Sequence, residues 1–174
     1  MHVYLVGTNH ANQLTGYKDG AAEKFRLYLA HICNAETIDL LAEELNEEAI
    51  VLWQRKGAQD STARLLATAH EIPHLFCDPN AHERRALGIP SYEELRIKFG
   101  YGRARTHEQE ANLAREERKF WPIREECWRK KVAAISPLRC LFVVGSDHVE
   151  SFAELLSGHG VVVEIKTRRW EPQP

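Results

Sequence analysis

No apolar run in these 174 residues approaches the roughly 20 consecutive positions that a membrane-spanning helix needs. The opening Met1-His2-Val3-Tyr4 also lacks the basic region and apolar core of a secretory signal. Together these absences predict a soluble protein that remains in the cytoplasm. Clustered cysteines are missing as well. Cys33, Cys77, Cys127 and Cys140 stand far apart, show no Cys-x-x-Cys spacing and mostly lie in apolar segments, so they are expected to be reduced core residues. Cys77, beside Asp78, has some case as a nucleophile, but the buried-thiol reading is favoured. Charge of one sign is scarce: the formal net charge is −2, so no global field draws the chain toward nucleic acid or an anionic membrane. The expected partner is a small-molecule or peptide substrate, with neither nucleic acid nor membrane. Low-complexity segments and solenoid-type repeats are absent too.

What is present is an ordinary globular composition, 44% hydrophobic and 28% charged, in a length that fits one domain spanning 1–174. Residues 2–6 read as a strand that stops at Gly7-Thr8-Asn9-His10. After a turn around Tyr17 to Gly20, Phe25, Leu29 and Ile32 recur at spacings of four and three, which predicts an amphipathic helix over 21–33. Residues 37–42 form a short second strand closing on Glu43-Glu44, and helical spacing resumes over 47–54, ending near Gly57. Asp60 or Ser61 caps a helix to about residue 71, ahead of Pro73. A strand over 74–77 follows, and Asp78-Pro79-Asn80 turns the chain.

Residues 91–135 are mostly helical in pattern and heavily charged, with a break at Gly100 and Gly102 and a restart at Pro122, whose missing N–H costs nothing in a first turn. The nearly all-polar stretch 103–119 reads as a solvated helix face or a hinged cover rather than a binding surface. Cys140-Leu141-Phe142-Val143-Val144 is the strongest strand, an unbroken apolar run of the kind covered by helices on both faces. It ends at Gly145-Ser146-Asp147-His148; a helix over 149–156 and a strand over 161–165 complete the pattern, and the tail to 174 reads as irregular. Alternating strands and helices predict an α/β domain: a mainly parallel sheet of about four to five strands flanked by helices, plus a charged helical insertion at about 91–135. Strand order is not readable from the pattern.

One short element occurs twice. Gly-x-x-His follows an apolar strand at Gly7 to His10 and again at Gly145 to His148. In an open parallel sheet, ligands bind outside the carboxyl ends of the strands, so chain direction alone brings both imidazoles to that edge. The glycines are expected to let the backbone turn tightly there. Glu43 and Glu44, Asp78, and Asp147 beside His148 add carboxylates to the same edge. Histidine and carboxylate are ordinary ligands of Zn²⁺, Mn²⁺, Fe²⁺ or Ni²⁺, and a bound divalent metal ion would generate hydroxide near neutral pH while a free carboxylate moves protons. On this reading His10, His148 and one of the glutamates, assigned as Glu43, hold the ion. Strand alternation lets only one of the pair face the site; Glu44 is slightly preferred, and with Asp147 it supplies catalytic carboxylate. Arg124 is the odd basic residue at a helix start otherwise suited to acids, and is expected to steady an anionic group. Asp78 and Arg84 are candidates for contact with substrate, although Asp78 equally suits a turn and the cluster around Arg84 a helix cap.

The paired Gly-x-x-His motifs at His10 and His148, with Glu43-Glu44 between them, resemble the TraB/Tiki and erythromycin-esterase/ChaN-like superfamily. That resemblance implies one site gathering His10, Glu44 or Glu43, Arg124 and His148, and a metal-dependent hydrolase acting on peptides or esters. The chain departs from the pattern after the second histidine, where Val149-Glu150-Ser151-Phe152 stands in place of an early glycine. Two other functions fit the same fold: a Rossmann-like nucleotide- or small-anion-binding module, for which no Gly-x-Gly-x-x-Gly or Gly-x-x-x-x-Gly-Lys-Ser/Thr fingerprint is present, and a non-catalytic interaction module docking through 103–119.

Overall fold

A computed structural model describes residues 1–16 and 20–172. The expected turn at Tyr17, Lys18 and Asp19, and the last two residues of the tail, lie outside the described residues. Strands β1 (His2–Thr8), β2 (Leu40–Glu43), β3 (His74–Phe76), β4 (Arg139–Gly145) and β5 (Val162–Thr167) form one sheet in the order β3-β2-β4-β1-β5, every neighbouring pair parallel. The helices are α1 (Ala21–Glu36), α2 (Glu47–Gln54), α3 (Thr62–Ala69), α4 (Ala81–Ala86), α5 (Tyr92–Lys98), α6 (His107–Arg118), α7 (Trp121–Ile135) and α8 (Val149–Gly158). No helix among the described residues is long and apolar enough to cross a membrane.

Alternation along the strands divides the core in two. Val3 and Leu5 of β1 and Cys140, Phe142 and Val144 of β4 face one side, against Trp128 and Val132 of α7 and Phe152 and Leu156 of α8. Tyr4, Val6, Leu141 and Val143 face the other, against Phe25, Leu29 and Ile32 of α1 and Leu66 of α3. The unbroken apolar run of β4 therefore serves both faces, as the sequence predicted. Complete burial of Phe142 and Phe152 contributes roughly 1.5–3 kcal/mol each before cavity effects. The elements leaving the adjacent strands β1 and β4 go to opposite faces, α1 to one and α8 to the other. This opens a crevice at their carboxyl ends, the usual ligand position in such sheets.

Local chemistry places the helix starts. Asn46, Ser61, Asn80, Ser91 and Thr106 each accept a first-turn N–H with the side chain; Ser61, not Asp60, caps α3. The helix α4, which the sequence had offered only as a possible cap, is a full element begun by the reciprocal pair Asn80 and Glu83. The helical region between β3 and β4 thus starts at residue 81 rather than 91. The expected second strand is shorter at its beginning, because Thr37 ends α1 in a left-handed conformation (φ 52°) and pairing starts only at Leu40. Pro122 sits in the first turn of α7, as its missing N–H requires.

Gly7 and Gly145 do not act as turn formers. Gly7 pairs with Val144 inside the ladder, and Gly145, paired with Thr8, has φ −58°. What demands glycine is close approach: a Cβ at Gly7 would stand 2.0 Å from the Arg168 carbonyl oxygen, and one at Gly145 2.9 Å from Glu44 Oε2. The four cysteines are free thiols, with Cys33, Cys77 and Cys140 buried. Burial pushes the Cys77 thiol well above its ordinary range, leaving an inert core residue rather than a nucleophile.

Candidate functional site

The crevice at the carboxyl ends of β1 and β4 is a pocket of about 450 Å³. Thr8, Asn9 and His10 line it from the end of β1, Glu44 from just beyond β2, and Gly145 to His148 from the end of β4. Arg84 of α4, Glu117 of α6, and Trp121 and Arg124 of α7 close it from the helical region. His10 and His148, 138 positions apart, therefore share one cavity, with Glu44, Arg84, Arg124 and Asp147 around them.

His148 ends a single 3-10 turn, Ser146–His148, and is only 5% exposed. Its Nδ1 lies 2.7 Å from Glu125 Oε1, which also accepts the Ser151 hydroxyl at 2.7 Å. A carboxylate can only accept, so this bond puts a proton on Nδ1. Nε2 lies 3.6 Å from Glu44 Oε1. Trp121 packs on the imidazole with ring centroids 4.1 Å apart, and Trp128 meets it edge-on at 5.1 Å. The ring is thus held at one nitrogen and confined on its faces. By contrast, His10 is exposed, and its ring makes no hydrogen bond among the described residues.

Arg124 organises the carboxylates beneath the pocket. It donates from Nε to Asp78 Oδ1 at 2.9 Å and from a terminal nitrogen to Glu44 Oε1 at 2.7 Å. Arg84 donates to Asp78 Oδ2 at 2.7 Å, and Trp128 Nε1 donates to Asp78 Oδ1 at 3.2 Å. Glu44 Oε2 accepts the Gly145 N–H at 2.7 Å, which explains the lack of room for a Cβ there. Burial pushes the Asp78 carboxyl up, but Arg124 and Arg84 outweigh it and hold it below the usual carboxylate range. Burial likewise opposes the charge on Arg124, while Asp78 and Glu44 prevail and strengthen it. Asp78 does not line the pocket itself; it supports both arginines from behind.

Glu43 goes elsewhere. Alternation sends it to the side of Leu41, where it is fully buried and accepts hydrogen bonds from Ser61 Oγ and, at 2.7 Å, from His74 Nε2. The expected ligand trio of His10, His148 and Glu43 is not brought together. Both oxygens of Glu44, the glutamate that does enter the pocket, are engaged by Arg124 and Gly145. Among the described residues no group of three or more His, Cys, Asp and Glu side chains is arranged to hold a metal ion. This donor set does not fit the expected divalent ion.

Two carboxylates of the site escaped the sequence reading, Glu125 behind the His148 ring and Glu117 on the pocket wall. Glu125 passed as an acid suited to a helix start, yet it lies on the stripe Trp121, Glu125, Trp128, Val132, spaced four, three and four along α7. A carboxylate on an otherwise apolar stripe was the available signal. Glu117 lay hidden in the polar stretch 103–119; its one cue is the position four residues after Leu113, the buried residue of α6. No family model matches the chain, and no curated protein or solved structure matches it either.

Proposed function

We propose that this protein is a hydrolase that splits an ester or amide bond in a small-molecule or peptide substrate, with His148 as the base that activates water. The observation carrying this reading is the imidazole held at Nδ1 by Glu125, with no hydrogen bond at Nε2 among the described residues, in a pocket shared with His10, Glu44 and Arg124. A fixed tautomer with an orienting carboxylate is the arrangement general-base catalysis needs. Glu44 and Arg124 position the ring's surroundings, and His10, exposed at the mouth, contacts substrate. The paired Gly-x-x-His motifs and their resemblance to a superfamily of hydrolases support the same reaction class.

The metal-dependent version has less support, since the glutamate oxygens it would use are engaged by protein groups, and no step is routed through an ion. Anion binding is also weaker. Arg84 and Arg124 are paired with carboxylates, Glu44, Glu117 and Asp147 line the same pocket, and the Gly145 N–H is given to Glu44 rather than to a phosphate.

The test is a panel of esters, peptides and phosphate esters assayed with purified protein, with chelator and with added Zn²⁺, Mn²⁺, Fe²⁺ or Ni²⁺. Ester or peptide hydrolysis lost roughly 10²-fold or more in His148→Ala supports the reading. Hydrolysis that survives this substitution overturns it.

A further inference from the structure

The pocket holding His148 does not end at Arg84 and Glu117. These residues also line a second cavity of about 580 Å³ whose other walls include Ala49, Leu52, Ile89 and Tyr92. A polar chamber with the base and a more apolar chamber thus meet at one carboxyl and one guanidinium. Arg84 is committed to Asp78. The Glu117 side chain makes no hydrogen bond or ion pair among the described residues, although the residue is half-buried and projects from α6 between the two chambers.

From this geometry we infer that Glu117 is the proton donor of the reaction, protonating the leaving group of an ester or amide whose apolar part lies in the second cavity. The inference rests on the hydrolase reading and adds the residue that reading lacks. Water attacks the carbonyl carbon and gives a proton to His148 Nε2. When the tetrahedral intermediate collapses, the bond to the leaving oxygen or nitrogen breaks, its electron pair stays on that atom, and Glu117 supplies the proton. The carboxylate so formed is reprotonated by the proton taken up at His148, and the sum is addition of one water across one bond.

Placement and chemistry agree. The base comes from the end of β4 and the acid from α6, so they approach the substrate from separate elements. Charged and titratable groups around Glu117 are Arg84 from α4 and Arg124 from α7, with Glu44, Asp147, His148 and His10 on the wall of the first pocket and Glu48 of α2, Asp78, Arg85 of α4 and Glu93 and Glu94 of α5 on that of the second. Burial raises the Glu117 carboxyl above its ordinary 4.5, and the two arginines offset this only in part. A carboxyl shifted upward holds its proton more firmly, the direction a general acid requires.

The experiment compares two acetates sharing one acyl group, p-nitrophenyl acetate, whose phenolate departs unaided, and hexyl acetate, whose alkoxide must be protonated. In Glu117→Gln, kcat/KM for hexyl acetate should fall roughly 10²-fold or more, and at least tenfold beyond any fall for p-nitrophenyl acetate. The alkaline limb of the hexyl acetate pH profile should disappear, and Glu117→Asp should recover part of the rate. Equal losses on both esters, or an unchanged alkaline limb, overturn the role of Glu117 while leaving the hydrolase reading intact. A wild type that cleaves p-nitrophenyl acetate but never hexyl acetate also overturns it. A wild type inert toward both and toward the wider panel overturns the hydrolase reading, and the role of Glu117 with it.

Discussion

Glu125 Oε1 stands 2.7 Å from His148 Nδ1, joining the first turns of α7 to the end of β4 across 23 positions of sequence. The bond selects the tautomer and leaves Nε2 facing Glu44. Glu125→Ala should therefore release the ring while leaving the core intact. Nitrogen NMR of labelled imidazole is expected to show wild-type His148 with its proton on Nδ1 and the variant as a tautomer mixture, with hydrolysis down roughly 10²-fold. A tautomer unchanged by the substitution would refute the positioning role.

Arg124 separates two buried carboxylates that would otherwise confront each other. Arg124→Met leaves Arg84 on Asp78 but strips Glu44 of its guanidinium. Breaking a buried pair in this way costs about 3–5 kcal/mol, and the lower end is expected here because Arg84 remains. Urea unfolding at neutral pH measures it, and a loss below about 1 kcal/mol would contradict the network.

Acid should weaken the same network with a definite sign. The folded Asp78 carboxyl lies below its ordinary value of 3.8, so its contribution is present above that value and is lost as pH falls through the folded one. Asp78→Asn gives up that contribution at neutral pH and should flatten the acid limb of a stability profile below pH 3.8. Chemical denaturation across an acid series tests this, and an identical acid limb in variant and wild type counts against it.

Glu117 carries the opposite sign. Its folded carboxyl is raised by burial, so the stability linked to its protonated form is present below the ordinary carboxyl range and is lost as pH rises through the folded value. Glu117→Gln should melt higher than wild type at neutral pH by roughly 1–3 °C, and the gain should vanish in acid. Calorimetry at both pH values decides it.

The adjacent glutamates should part company in their variants. Glu43→Ala strands the Ser61 hydroxyl and His74 on the far side of the sheet, and is expected to cost roughly 2–3 kcal/mol while hydrolysis per folded molecule persists. Glu44→Ala should instead reduce hydrolysis sharply, because the carboxylate it removes lies in the pocket. Reversed outcomes would mean that Glu43 serves the chemistry.

Much of this arrangement was legible beforehand. The apolar run of β4, the helical spacing in α1 and the strand-end positions of His10 and His148 are local properties, because side-chain alternation and the 3.6-residue repeat leave their trace in neighbouring residues. Thr37 was misread because its β-branched side chain suggests a strand, whereas the end of α1 holds it at positive φ. The motif glycines were read as turn residues, since no local pattern reveals that Arg168 passes over Gly7 or that a Glu44 oxygen occupies the space beside Gly145.

By itself the sequence determined an α/β chain with a parallel sheet and two histidines delivered to the same edge, since element type and chain direction follow from short-range periodicity. Only the tertiary structure decided the strand order, the side on which each of Glu43 and Glu44 falls, and the partnership of Glu125 with His148. Those outcomes depend on which residues distant in sequence pack together, and the balance of desolvation and pairing at a buried carboxylate exists only once that packing is complete.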